Sequence, residues 1–302
     1  MTTIPSGARA EHADPPPSGA NRATRSRRGP MTPTRAARAV SLFGPLTLFV
    51  VFTLLPLYWM VVYAVTPTNH EGFVPWPLTG SHFSSAWNNL GFAYLFRNSA
   101  IVGASTLVVT VILALAAGYA LARFEFRGKK LLILALLCTQ FVPGVVLLIP
   151  LFQIFKRLSL IDNLLSLVIS DTVFQIPLAA VLMAGFIRNI PVNLEEAAMV
   201  DGCSRFRSFL VIMLPLLRPA IVATGSFAFI GSWNNFLFAL MFMNSQHNFT
   251  IPVGLANLIG EYNVDYGALA AGGTLAAMPL VIIFAFVQKY LVQGMTAGAV
   301  KG

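Results

Sequence analysis

Polar positions along this chain come in short bursts between long apolar runs. Six apolar stretches, at about 41–65, 98–121, 131–155, 164–187, 211–243 and 266–292, each come near or exceed the ~20 residues that a helix needs to cross a bilayer. The pattern predicts an all-α membrane protein with six transmembrane helices. The fifth stretch is too long for one straight span. Its first part, with Pro215 and Pro219, is expected to approach the membrane before a true span that begins near 220. Prolines also interrupt the third stretch (Pro143, Pro150), the fourth (Pro177) and the sixth (Pro279). Neighbouring helices in a bundle can re-satisfy the backbone groups that such kinks free.

Composition agrees with this reading. Of 302 residues, 56% are apolar and 10% charged, with mean hydropathy +0.73; soluble domains carry roughly 25% charged residues. The net charge of +9 fits cytoplasmic loops and lipid headgroups, not nucleic acid. With the N-terminus inside, seventeen Lys and Arg fall on the cytoplasmic side, and only Arg97, Lys156 and Arg157 fall outside. Without the N-terminal tail the split is still ten to three. Both termini are therefore predicted inside. Residues 1–38 are rich in Arg, Pro, Ala, Ser and Gly and are expected to be disordered, ahead of a membrane domain over 39–302. By composition the start lies either at Met31, before the basic Arg35–Arg38, or at Met1 with a genuine basic tail. A signal peptide is disfavoured: the first apolar stretch is too long and no A-x-A site follows it.

Three connections lie outside. Residues 66–97 carry Trp76, Trp87 and Tyr94 and read as an interface-hugging segment. Residues 156–163 are short. Residues 244–265 read either as a solvated loop or as a contact for an extracytoplasmic partner. Cys138 and Cys203 are not expected to pair, and no Cys/His cluster has metal-ligand spacing. His12, His70, His82 and His247 are scattered and read as solvated loop residues.

One cytoplasmic loop, about 188–215, has local structure written into it. Pro191 breaks what precedes it. Asn193 is placed as an N-cap with Glu196 three residues on, a capping-box arrangement. Glu195 and Glu196 fall in the first turn, where the helix dipole favours negative charge. Gly202 is placed to end the helix near Asp201, and Ser204 to cap the next one. Leu194, Ala197, Ala198 and Asp201 share one face by spacing. By physics alone, packing on the chain's own bundle and docking to a partner both remain open.

The residues from Glu196 to Pro215, "EAAMVDGCSRFRSFLVIMLP", fit the pattern E-A-A, three residues, G, nine residues, I-x-L-P. This resembles the signature loop of permease subunits of binding-protein-dependent ABC importers. "FIRNIPVNLEEAA", "QKYLVQGMTAGAVKG", "RNSAIVGASTLVVTVILALAAGYALARFEFRGKK" and "GSWNNFLFAL" resemble the second permease of the carbohydrate-uptake, maltose-type subfamily. The likeness covers about 40–302. It implies a type I importer transmembrane domain in a prokaryotic cell membrane, as half of a heterodimeric pore with a second, homologous permease. It also implies two cytoplasmic ATPase subunits and an extracytoplasmic solute-binding protein. On that model Leu194, Glu195, Glu196, Ala197, Ala198, Asp201, Gly202, Leu214 and Pro215 couple to the ATPase, and Gly298, Val300, Lys301 and Gly302 reach toward it. No phosphate-binding G-x-x-x-x-G-K-[ST] loop is present. The chain is therefore expected to be no enzyme and to carry no cofactor, with ATP and Mg bound by the partner ATPase. Two departures stand out. Asn235 follows Trp-Asn where the family often has an acid, and Ser170-Asp171 stand where relatives commonly carry a Pro and an aromatic.

Polar residues within spans mark a candidate solute path: Gln140, Asp171, Gln175, Trp233, Asn234 and Asn235. The bland readings stay open, since Asp171 can pair across the bundle and amides also glue membrane helices. A stand-alone secondary transporter is the alternative function, but it would favour several midplane ionisable groups and internal repeats. An intramembrane enzyme would need a nucleophile–base or metal pair, and no histidine falls in any predicted span.

Overall fold

A computed structural model of the protein describes residues 35–68, 72–89, 91–259 and 264–299, with side chains placed outside 35–40, 42 and 290–299. Of the tail predicted over 1–38, residues 1–34 lie outside the described residues, as do His70, Val300, Lys301 and Gly302, and residues 35–38 belong to the start of α1 instead of being disordered. Among those described, the chain is helical, and its only β feature is an isolated bridge between Ile259 and Val264. The helices are α1 (Arg35–Val65), α2 (Ser81–Asn89), α3 (Phe92–Arg123), α4 (Lys129–Thr139), α5 (Gly144–Arg157), α6 (Leu164–Arg188) and α7 (Asn193–Val200). Then follow α8 (Arg205–Ser208), a π turn (Phe209–Met213), α9 (Leu214–Leu216), α10 (Arg218–Trp233), α11 (Leu237–Phe242), α12 (Ile251–Ala256) and α13 (Tyr266–Ala299).

The chain divides after Thr53 into two units. The first holds the start of α1, whose apolar side chains, such as Phe49 and Phe52, stand exposed. The second holds everything else, including the bundle.

Among the described residues, four helices are long and apolar enough to cross a membrane: Phe43–Val65, Phe92–Arg123, Leu164–Arg188 and Tyr266–Lys289. Two further crossings require bent pairs, α4 with α5 at 94° and the α8–α9 run with α10 at 76°. The first bend falls at Gln140–Pro143, where Pro143 is extended and cannot continue the helix. The fifth stretch is not one straight helix, since the second bend falls at Leu217. Its predicted end at 243 does not. The helix stops at Trp233 because Asn234 and Asn235 take over the backbone bonding. The Asn234 amide donates to Ile230 O (2.9 Å), and Asn235 Oδ1 accepts from Phe238 N–H (3.2 Å). The second span also starts six residues before the predicted 98, because Phe92 and Leu95 are buried.

The core forms where α3 lies along α6 and α10. Ala114, Ala179, Met183, Ile187, Met213, Leu217 and Ala220 make one buried cluster. Small residues set the approach: a Cβ on Gly118 would sit 2.8 Å from Met183 Cβ and 3.0 Å from the Ala184 N. A second cluster joins Val102, Phe155, Leu167, Phe238 and Phe242. His82 corrects the solvated-loop reading for one histidine: it is buried, and its Nε2 donates to Thr66 O (2.9 Å).

Candidate functional site

The loop between α6 and α10 folds as a capped helix, a glycine corner and a second short helix. The first turn of α7 begins earlier than expected. Leu194 N–H donates to Pro191 O and Glu195 N–H to Val192 O, and the Asn193 side chain makes no cap. Val192, already helical at φ −63° and ψ −31°, therefore takes the cap position that the sequence reading gave to Asn193. The far end follows the sequence reading. Gly202 sits at φ 85°, Gly202 N–H donates to Met199 O and Cys203 N–H donates to Ala198 O. This double closure is the Schellman arrangement. Ser204 then caps α8 by accepting from Arg207 N–H. The π turn leads into Pro215, which has no N–H to continue an α ladder.

What holds α7 against the bundle is a buried ion pair. Glu195 Oε1 lies 2.5 Å from Arg123 Nε, and the two side chains are only 7% and 9% exposed. Tyr119 donates its hydroxyl to Glu195 Oε2 (2.8 Å). Arg123 Nη2 also donates to Ile190 O (2.9 Å). Tyr119 and Arg123 stand one helical turn apart at the end of α3, so a single face of that helix grips the loop. Glu195 and Ala198 thus point inward, which corrects the predicted Leu194–Ala197–Ala198–Asp201 face: Ala198 belongs with Glu195 on the buried side. Leu194, Glu196, Ala197, Asp201 and Gly202 stay exposed. Val200, at 87%, and Phe206, at 72%, add to this bare surface although the spacing argument did not single them out. Leu214 is partly buried and Pro215 exposed. Gly298 falls within the backbone of α13.

The six polar candidates do not form one cluster: Asp171 meets Asn235, Gln140 and Gln175 share a chamber, and Trp233 and the exposed Asn234 bond elsewhere. Asp171 is buried and accepts from Ser232 Oγ (2.6 Å) and from the Asn235 amide. Ser232 in turn reaches Thr106 Oγ1 at 3.5 Å. The two positions that depart from the family pattern therefore touch each other. Trp233 is buried between Phe96 and Phe229 and donates its indole N–H to Ala276 O (3.2 Å). Gln140 and Gln175 lie apart from these, lining a chamber of about 280 Å³ with Thr110, Phe174, Thr224 and Gly231. The Thr110 hydroxyl is buried there without a partner among the described residues. Gln140 Nε2 spans the bent third stretch and α6 by donating to Phe174 O (3.1 Å).

At the end of the bundle away from α7, Asp162 ties the α5–α6 loop to the segment after α11. Its carboxylate accepts from Asn244 N–H and Ser245 N–H (3.0 Å each) and from the Ser245 hydroxyl. Burial pushes this carboxyl up, but the Ser245, Asn244 and Asn248 hydrogen bonds outweigh it and hold it at about 2.

The fold resembles that of a bacterial ABC transporter involved in the import of the acidic polysaccharide alginate. The match has a TM-score of 0.73 at 21% identity and covers 86% of this chain and 99% of that one. Sequence relatives reach further in identity. A diacetylchitobiose uptake system permease, DasC of Streptomyces coelicolor, is 33% identical over 82% of this chain and 91% of its own length. A trehalose transport system permease, SugB of Mycobacterium tuberculosis, is 34% identical over 85% and 95%. An inner membrane ABC transporter permease, YcjP of Escherichia coli, is 31% identical over 90% and 99%. Residues 110–297, which contain the capped loop and the six polar candidates, match the family model of binding-protein-dependent transport system inner membrane components, and the chain belongs to that family.

Proposed function

We propose that the chain forms half of the translocation pore of an ATP-driven importer for a sugar or sugar-like solute. It crosses the membrane six times with both termini inside and pairs with a second, homologous permease. Two ATPase subunits, which bind the ATP and Mg, dock on the cytoplasmic loop, and a solute-binding protein delivers cargo outside. The observation that carries this reading is the two-sidedness of α7. Glu195 and Ala198 lock one side into the bundle, while Leu194, Ala197, Val200, Asp201 and Gly202 leave the other side bare. A short helix held rigidly by its inner face can pass a push on its outer face into the spans. Leu214 and Pro215 link that helix to α10, and the C-terminal Gly298, Val300, Lys301 and Gly302 reach toward the ATPase. The carbohydrate cargo is supported by relatives whose names state diacetylchitobiose and trehalose. Gln140 and Gln175 line the path within this subunit.

Reconstitution in liposomes tests the reading. Uptake should require ATP, the ATPase and the second permease together. Val200→Asp should uncouple the ATPase without harming membrane insertion, because that side chain touches nothing inside the bundle. Uptake by the chain alone on an ion gradient would identify a secondary transporter and overturn the proposal.

A further inference from the structure

The end of the bundle away from α7 holds a second polar cavity, separate from the chamber at Gln140 and Gln175. Its volume is about 340 Å³, and it is lined among others by Asn88, Tyr94, Leu95, Gln246, His247 and Asn257. The walls come from the end of α2, the start of α3, the segment after α11 and α12.

Here the backbone is fixed while three of the polar side chains are unengaged; the Asn88 amide, in contrast, donates to Ser84 Oγ (3.3 Å). Asn98, fully buried, donates to His247 O (2.6 Å) and Phe249 O (2.9 Å). Ser99 Oγ accepts from Ile251 N–H (2.9 Å), and Asp162 grips Asn244 and Ser245. These anchors fix residues 244–251 from below. Yet the side chains of Gln246, His247 and Asn257 make no hydrogen bond among the described residues, and all three are exposed. The Tyr94 ring stands at the same rim with the Arg97 guanidinium over it at 5.5 Å. Preformed backbone with free amides, one imidazole and an aromatic edge is the chemistry that receives vicinal hydroxyls. The volume suits one or two pyranose rings, at the small end of ligand pockets.

We propose that this cavity is a saccharide subsite at the outer mouth, where Gln246, His247 and Asn257 engage sugar hydroxyls and Tyr94 and Leu95 receive the C–H face of a ring. The ligand class rests on the carbohydrate reading above. Amide contacts at an open rim do not discriminate strongly between stereoisomers. Trehalose, maltose and diacetylchitobiose should therefore all bind weakly, as suits a site that passes cargo on.

The test uses the full-length chain in its assembled transporter, in lipid nanodiscs, with the solute-binding protein left out. Saturation-transfer NMR with millimolar trehalose, maltose and diacetylchitobiose should give transfer to all three that survives Gln175→Leu. The double variant Gln246→Leu/Asn257→Leu should weaken binding about tenfold, the loss of two hydrogen bonds. Its unfolding should be unchanged, because neither side chain makes a hydrogen bond among the described residues. Absence of transfer to all three sugars, or equal affinity in the double variant, overturns the subsite. So does a double variant whose only defect is loss of binding-protein docking, which would make the cavity a protein contact. Failure of the importer reading looks different: the complete ATP-fed transporter would take up no sugar while the three still bound at the cavity.

Discussion

Removing Arg123, at the end of α3, should loosen the loop that packs on it through Glu195. Arg123→Ala takes away the partner of a carboxylate that is 7% exposed, and also unpairs the Ile190 carbonyl. Only the Tyr119 hydroxyl would then remain on Glu195. Breaking a buried pair in this way costs about 3–5 kcal/mol. Glu195→Ala strands the arginine instead, and should cost a similar amount. The double variant Arg123→Leu/Glu195→Leu leaves no stranded charge, so it should lose much less than the sum of the two, with a coupling energy of about 2–3 kcal/mol. Tyr119→Phe removes one neutral donor and should cost only about 1 kcal/mol. Equilibrium unfolding in mixed micelles gives the stabilities, and hydrogen exchange across 190–203 reports the loop. ATP hydrolysis without matching uptake would report uncoupling in the reconstituted transporter. Additive effects in the cycle, or a loss below about 1 kcal/mol for Arg123→Ala, would refute the anchoring role.

Other positions give sharp expectations. Gly202 adopts φ 85° with open space around a would-be Cβ, so Gly202→Ala should cost about 1 kcal/mol from backbone strain alone. Gly202→Trp should in addition abolish coupled uptake while insertion, measured by membrane fractionation, stays intact. The Asp162 carboxyl is held at about 2, below its unfolded value of 3.8, so its bonds stabilise fully above pH 4 and fade as pH falls through 2. Exchange protection at Asn244 and Ser245 should thus be flat from pH 5 to 8, and Asp162→Ala should lower it at every pH in that range. Asn235→Asp would set two carboxylates against each other in a buried site and should cost several kcal/mol. Adding Asp171→Asn should recover most of that loss in the same unfolding assay, because the acid has only moved from α6 to the break between α10 and α11.

The parts of this molecule that could be read in advance are those whose causes lie close together in the chain. Gly202 and Ser204 announce a corner through turn chemistry spanning five residues. The six apolar stretches announce themselves by length. Arg123 and Glu195 do not, because 72 positions separate them and nothing local tells Glu195 from its exposed neighbour Glu196. Asn234-Asn235 read in the sequence as a solute contact or as amide glue between helices. Only the hydrogen bonds to Ile230 and Phe238 show it ending a helix. Val200 and Phe206 were missed for a related reason: apolar side chains in a membrane protein look ordinary until a neighbour fails to cover them.

The polar anchors also impose an order on biosynthesis. Asn98 sits fully buried in a span made early, but its acceptors, His247 and Phe249, emerge from the ribosome about 150 residues later. Asp171 likewise waits for Ser232 and Asn235. Until those segments insert, each early helix carries an unmatched polar group that water, lipid headgroups or the insertion machinery must hold. The first half of this chain should therefore be unstable when released alone. Truncation between 188 and 232 should mark the nascent protein for proteolysis, whereas a chain extended past 249 should resist it.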